Sequence, residues 1–147
     1  MKPVTHAVIS LGVSALLLTW TKSWAAAFAC FLSGIFIDID HHLDYCLMRG
    51  KFPFLYRELQ DYCLTARNGK LYIIFHSYEL LLIFWIILTY YRLDGIWIGI
   101  AIGMSVHLVC DQWSNPLKPL AYFITYRIKH GFEGKRLLLE GYLENIR

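Results

Sequence analysis

Charge is scarce in this chain. Of 147 residues only 17% are charged, against 57% hydrophobic, a balance that excludes both a disordered segment and a highly charged binding module. No Cys-x-x-Cys pair occurs among the 4 cysteines, Cys30, Cys46, Cys63 and Cys110. Two of them lie inside apolar runs, where a thiol behaves as a small hydrophobe, so no disulfide framework is expected. A basic patch interleaved with aromatic residues is also missing, which argues against nucleic acid as a partner. Lys and Arg together number 14 against 11 Asp and Glu, a net charge of +3, and they cluster in a way that suits a membrane surface.

Apolar sequence is what the chain has in quantity. Four stretches stand out, with spans expected at about residues 4–20, 24–39, 71–91 and 95–112. The third, about 21 residues with only His76 and Glu79 ionisable, is long enough to cross a bilayer. The others fall short of the roughly 20 residues of an ideal span, so they cross with little tilt, thin the bilayer locally, or form a buried hairpin in a soluble bundle. Lys2, the apolar run to Leu18 and the small residues Ala25, Ala26 and Ala27 also match a cleavable signal peptide. With Met1 as its start, the segment is expected to stay as the first span. Tight links at Thr21–Ser23 and Arg92–Asp94 imply two antiparallel hairpins. The expected fold is therefore all-α: a single polytopic membrane domain, an antiparallel bundle of four transmembrane helices with amphipathic interfacial helices.

The connection over 43–70 is too long for a turn, and Pro53 opens a short amphipathic helix expected to lie along the membrane. Beyond Pro116 and Pro119, Leu120 to Ile128 reads as a second interfacial helix, and Gly131 to Arg147 as a solvated tail. For four spans, the N-terminus, the connection and the region 117–147 share one side. They carry Lys2, Arg49, Lys51, Arg57, Arg67, Lys70, Lys118, Arg127, Lys129, Lys135, Arg136 and Arg147, whereas only Lys22 and Arg92 fall opposite. The positive-inside rule then puts both termini in the cytoplasm. Trp20, Trp24, Trp85, Trp97 and Trp113 are expected mostly as belt or lipid-facing residues, and the Gly99 to Gly103 spacing as a helix-packing signal.

Ionisable residues collect at one end of the expected spans. His6 opens the first, Asp38, Asp40, His41 and His42 close the second, His76 and Glu79 enter the third, and His107 and Asp111 close the fourth. In an antiparallel bundle the starts of odd helices and the ends of even helices share a face, so all nine are expected near the cytoplasmic end. His107 and Asp111 at i, i+4, and His76 and Glu79 at i, i+3, each project from one side of a helix. Asp38 and Asp40 are roughly 200° apart on a regular helix, so both serve one site only if the helix ends there. Asp38 paired with His41 or His42 suits a continued helix. Taken singly, each residue has an ordinary reading as an interfacial polar group or a helix end meeting water, and His130 reads as a solvated tail residue. Their joint placement is the signal.

Imidazole with carboxylate and no placed thiolate is ligand chemistry for a divalent metal, zinc first and manganese or iron as alternatives. The candidate ligands are His6, Asp38, Asp40, His41, His76, His107 and Asp111, enough for one or two ions.

These residues also carry a family resemblance over roughly Thr5 to Asn115. Thr5-His6, Asp38-Ile39-Asp40-His41, His76-Ser77, and His107-Leu-Val-Cys-Asp111 followed by Ser114-Asn115 resemble the bacterial inner-membrane-associated, metal-dependent hydrolase family of LexA-binding type. That resemblance implies a multi-span protein with a metal-dependent hydrolase site and a looser kinship with zinc-dependent phospholipases C. The family's His-Arg-Gly element ahead of its His-Ser is replaced here by Leu71-Tyr72-Ile73, and Glu79, one turn beyond His76, is the candidate that compensates.

The function expected is hydrolysis of a phosphoester in a lipid phosphate or phospholipid at the cytoplasmic face. Bound metal would acidify a water and polarise the phosphoryl oxygen. Glu79 is the candidate general base, with Asp40 the second carboxylate assigned to catalysis. Arg67 and Lys70 are candidates for holding the substrate phosphate. Membrane lipids are the expected partners, and a second copy or another protein could dock on the amphipathic connection and tail. The alternative is a non-catalytic membrane protein with a structural metal site or an ion- or proton-handling role. A bis-histidine haem between His6 and His76 or His76 and His107 is opposed by the adjacent carboxylates.

Overall fold

A computed structural model of the chain describes residues 3–53, 55, 57–59, 62, 69–140 and 142; Cys63 and Arg67 lie outside the described residues. In chain order the helices are α1 (Pro3–Thr21), α2 (Trp24–Phe36), α3 (Ile39–Arg49), α4 (Tyr78–Tyr90), α5 (Ile96–Ser114), α6 (Ile124–Lys129) and α7 (Gly134–Leu137), with a 3-10 turn at Pro119–Tyr122. No strand occurs among the described residues, only isolated bridges pairing Lys70 with Glu133 and Leu117 with Leu138. The chain groups into two compact units, Met1–Ile37 with Tyr78–Asn115, and Asp38–Ser77 with Pro116–Arg147.

The first unit holds α1, α2, α4 and α5. Its burial runs opposite to that of a water-soluble bundle. Along α1 the polar side chains of His6, Ser10 and Ser14 are buried, whereas Val4, Val8, Leu11, Leu16 and Trp20 are exposed. Helix α5 likewise turns Gly99, Ala101, Gly103, His107 and Asp111 inward. Small and polar residues inside with large apolar residues outside is the arrangement of helices solvated by lipid tails. Three helices, Pro3–Thr21, Trp24–Arg49 and Ile96–Ser114, are long and apolar enough to cross a membrane. The expected glycine signal is realised, because a Cβ at Gly99 would overlap the Ala26 carbonyl and one at Gly103 the Cys30 carbonyl and the Ser33 hydroxyl. Ser33 Oγ bridges the same seam, donating to the Ile100 carbonyl at 3.1 Å. Trp85 departs from its expected lipid-facing role by donating Nε1–H to Ser105 Oγ at 3.1 Å. Both tight links place a basic residue in the left-handed region, Lys22 at φ 55 and Arg92 at φ 52.

The span expected over 71–91 is helical only over Tyr78–Tyr90. Residues 71–77 are not helical because acidic side chains take their amides: Tyr72 N–H donates to Asp44 Oδ1 at 2.8 Å and Phe75 N–H to Asp40 Oδ2 at 2.9 Å. The remaining 13 residues rise about 20 Å, less than the roughly 30 Å hydrocarbon layer.

The second unit is built on α3, which extends the helical part of the expected connection to Arg49, where Gly50 at φ 67 ends it. Tyr45, Leu59 and Tyr62 form a small core against it. The helix expected to open at Pro53 does not start there, since Pro53 and Leu55 are not helical; residues 57–59 and 62 are helical, and 54, 56, 60 and 61 lie outside the described residues. The single helix expected over Leu120 to Ile128 is instead the 3-10 turn and α6, separated by extended Phe123. Nor are residues 131–140 a free tail. Leu137 and Leu138 are buried, Lys118 N–H donates to the Leu137 carbonyl and Leu139 N–H to the Pro116 carbonyl. Leu71 and Gly134 complete the packing through bonds to the Phe132 and Gly69 carbonyls.

Candidate metal centre

In the first unit α1 and α5 bring His6, His107 and Asp111 together, each almost fully buried. His6 Nε2 lies 2.9 Å from Asp111 Oδ1 and His107 Nε2 lies 3.3 Å from Asp111 Oδ2. The two imidazoles stack with centroids 4.0 Å apart and planes 13° from parallel. His107 Nδ1 is 2.8 Å from the Gly34 carbonyl oxygen, which only accepts, so Nδ1 carries the proton. In neutral His107 the Nε2 lone pair then points at a carboxylate oxygen. Two lone pairs face each other unless a cation, metal or proton, stands between them.

The second unit repeats this arrangement around His76, which precedes α4 in the non-helical segment. Its Nδ1 donates to Asp40 Oδ2 at 3.0 Å, leaving Nε2 facing Asp38 Oδ1 at 3.4 Å. A metal-ligating histidine is oriented in this way, with one ring N–H on a carboxylate or carbonyl and the other nitrogen turned to the ion. His41 adds its Nε2 at 3.7 Å from the same Asp38 oxygen, and Asp40, His41 and His76 each offer a ligand atom within 4.8 Å of the others. Asp40 Oδ1 is buried with no hydrogen-bond partner among the described residues, while Oδ2 also accepts the Phe75 and His76 amides. The regular helix is interrupted only at Ile37 and Asp38, both still in right-handed helical conformation, and both Asp38 and Asp40 nevertheless approach His76. Asp38 occupies the N-cap position without a side-chain cap hydrogen bond, and its Oδ1 lies near both imidazoles.

Within the first unit His6, His107 and Asp111 lie in contact, and within the second Asp38, Asp40, His41 and His76 do. A cluster of this chemistry can hold a divalent ion. Glu79 is half-buried in the first turn of α4. Lys70 is exposed and pairs through its backbone with Glu133, and Arg67 lies outside the described residues. His42 stacks on Phe52 at 6.0 Å rather than joining the ligands. His130 is partly buried against Tyr126, whose carbonyl its Nδ1 approaches at 2.8 Å.

Sequence reasoning missed Asp44 and Arg127. Asp44 is buried, accepting from Tyr62 Oη at 2.9 Å and from the Tyr72 amide. Its position four residues after Asp40 on one helix face is a signal that was there to read. Arg127 is fully buried and donates to the Ile73 and His76 carbonyls, partners more than fifty residues away with no local signature. Comparison with known families, with curated proteins and with solved structures returned no match.

Proposed function

We propose that this protein is a membrane-embedded, metal-dependent hydrolase of a phosphoester, acting on a lipid phosphate or phospholipid at the cytoplasmic face of a bacterial inner membrane, and that it belongs with the LexA-binding-type hydrolases it resembles. The observation that carries the reading is the orientation of His76 and His107, each with Nδ1 committed as a donor and Nε2 turned toward a carboxylate oxygen. A proton relieves one such pair at a time, whereas a divalent ion satisfies a whole set of imidazoles and carboxylates at once. Stacked His6 and His107 argue the same way. Two imidazolium charges 4.0 Å apart would repel by about 4 kcal/mol at an effective dielectric of 20, which disfavours charging both rings at once.

Zinc suits the imidazole and carboxylate donors best, with manganese or iron also compatible. When bound, such an ion acts as a Lewis acid toward the phosphoryl oxygen and acidifies water. Asp40 holds the His76 ring and the adjacent amides in place, with Oδ1 left for the ion or for a proton. Glu79 is assigned the general base, and Lys70 with Arg67 the substrate phosphate. Placed in a membrane whose outer leaflet faces Lys22 and Arg92, the chain has four crossings and cytoplasmic termini.

Elemental mass spectrometry of detergent-purified protein tests the metal. One or two equivalents of zinc, manganese or iron are expected in the native chain, depleted in His107→Ala and Asp38→Ala, with hydrolysis of a lipid phosphate lost in parallel. A native protein that takes up no divalent ion after reconstitution would overturn the hydrolase reading in favour of a proton-handling network.

A further inference from the structure

Residues 71–77 carry His76 but form neither helix nor strand, so their backbone polar groups need partners from elsewhere. The amides find them on α3: Tyr72 N–H donates to Asp44, and Phe75 and His76 N–H donate to Asp40. The carbonyls find Arg127. Its guanidinium, 0% exposed, donates through Nη1 to the Ile73 oxygen and through Nη2 to the His76 oxygen at 3.0 Å. A planar fork can reach two carbonyls three residues apart, whereas an ammonium is a single point donor. Burying an arginine on neutral carbonyls is costly unless its charge is balanced nearby, and the Asp44 carboxyl, which burial pushes up, is close enough to feel its charge.

We infer that Arg127 is a positioning residue for His76. Contributed by α6, it holds one side of the 71–77 segment while Asp40 and Asp44 hold the other, and so sets the direction of the His76 imidazole toward Asp38 and His41. The C-terminal part of the chain thereby governs the affinity of the candidate metal set without supplying a ligand.

Backbone hydrogen exchange on the metal-free protein in detergent tests this directly. In Arg127→Lys, exchange of the Phe75 and His76 amides is expected to accelerate at least tenfold while α1, α2 and α5 keep their native protection. Arg127→Gln is expected to accelerate it further, and the lysine variant, which keeps the charge, carries the test should the glutamine variant not fold. Native exchange at Phe75 and His76 in the lysine variant, or a uniform increase across all helices, would overturn the positioning role. Cobalt(II) titration adds a second readout, which depends on the proposed metal chemistry: a 10- to 100-fold loss of affinity is expected in Arg127→Lys, the range for residues that orient metal-ligating histidines. A native protein that binds no cobalt removes the metal reading, and the exchange result alone then decides the role of Arg127.

Discussion

Asp111 sits almost fully buried with a histidine Nε2 against each of its two oxygens. Without a cation that carboxylate is a buried charge at the end of an apolar helix, a costly arrangement. Asp111→Asn removes the charge and supplies an N–H that can donate to a histidine lone pair. The metal-free variant is therefore expected to melt at or above the temperature of the metal-free native protein, while added zinc no longer raises its melting point. Thermal unfolding with zinc and with a chelator checks both halves, and a zinc-dependent rise equal to the native one would remove Asp111 from the ligand set. At this scale much of the site was legible in the sequence. His107 with Asp111, and Asp38 with His41, are near neighbours on one helix or at its start, so spacing alone predicts that they meet. Arg127 was not legible, because nothing local distinguishes a buried arginine on distant carbonyls from a solvated one in a basic cluster.

Among the elements, α2 and α5 are brought together by glycine. Gly103 has no room for a Cβ beside the Cys30 carbonyl and Ser33, and the same contact carries the Gly34 oxygen that orients His107. Gly103→Ala is expected to destabilise the protein by about 1–3 kcal/mol through overpacking and to lower metal content with it. Gly12 in α1 has nothing within 4 Å of a built Cβ, so Gly12→Ala should be neutral or stabilising by up to about 1 kcal/mol. Denaturation of both variants in the same detergent measures the contrast, and equal effects would deny the close approach. Helix α4 shows where periodicity misleads. Residues 71–91 are apolar throughout, but Asp40 and Asp44 draw the first seven out of the helix by taking their amides.

For the whole molecule, the number of crossings depends on α4. Three helices have the length and apolar character of spans, whereas α4 has 13 residues. Four crossings put Lys22 and Arg92 on the same outer side. An impermeant maleimide is expected to label Lys22→Cys and Arg92→Cys in intact cells, and Lys118→Cys only after permeabilisation. Labelling of Lys22→Cys but not Arg92→Cys in intact cells would show that α4 does not cross. The second unit makes a separate demand on the chain. Residues 116–147 supply Tyr122, Arg127, Leu137 and Leu138 to its interior, so truncation after Asn115 should open residues 69–77 to proteolysis, as limited digestion would show.

The sequence by itself determined the apolar helices, their tight links and the seven histidines and aspartates that could ligate metal, because hydropathy and helical spacing are local properties that tertiary contacts did not override there. Only the tertiary structure decided which ligands meet within each unit, that the His76 segment leaves the helix, and that residues 131–140 are packed rather than solvated. Each of those outcomes turns on backbone amides and carbonyls choosing partners tens of residues away, and the energy of such a choice belongs to no stretch of sequence taken alone.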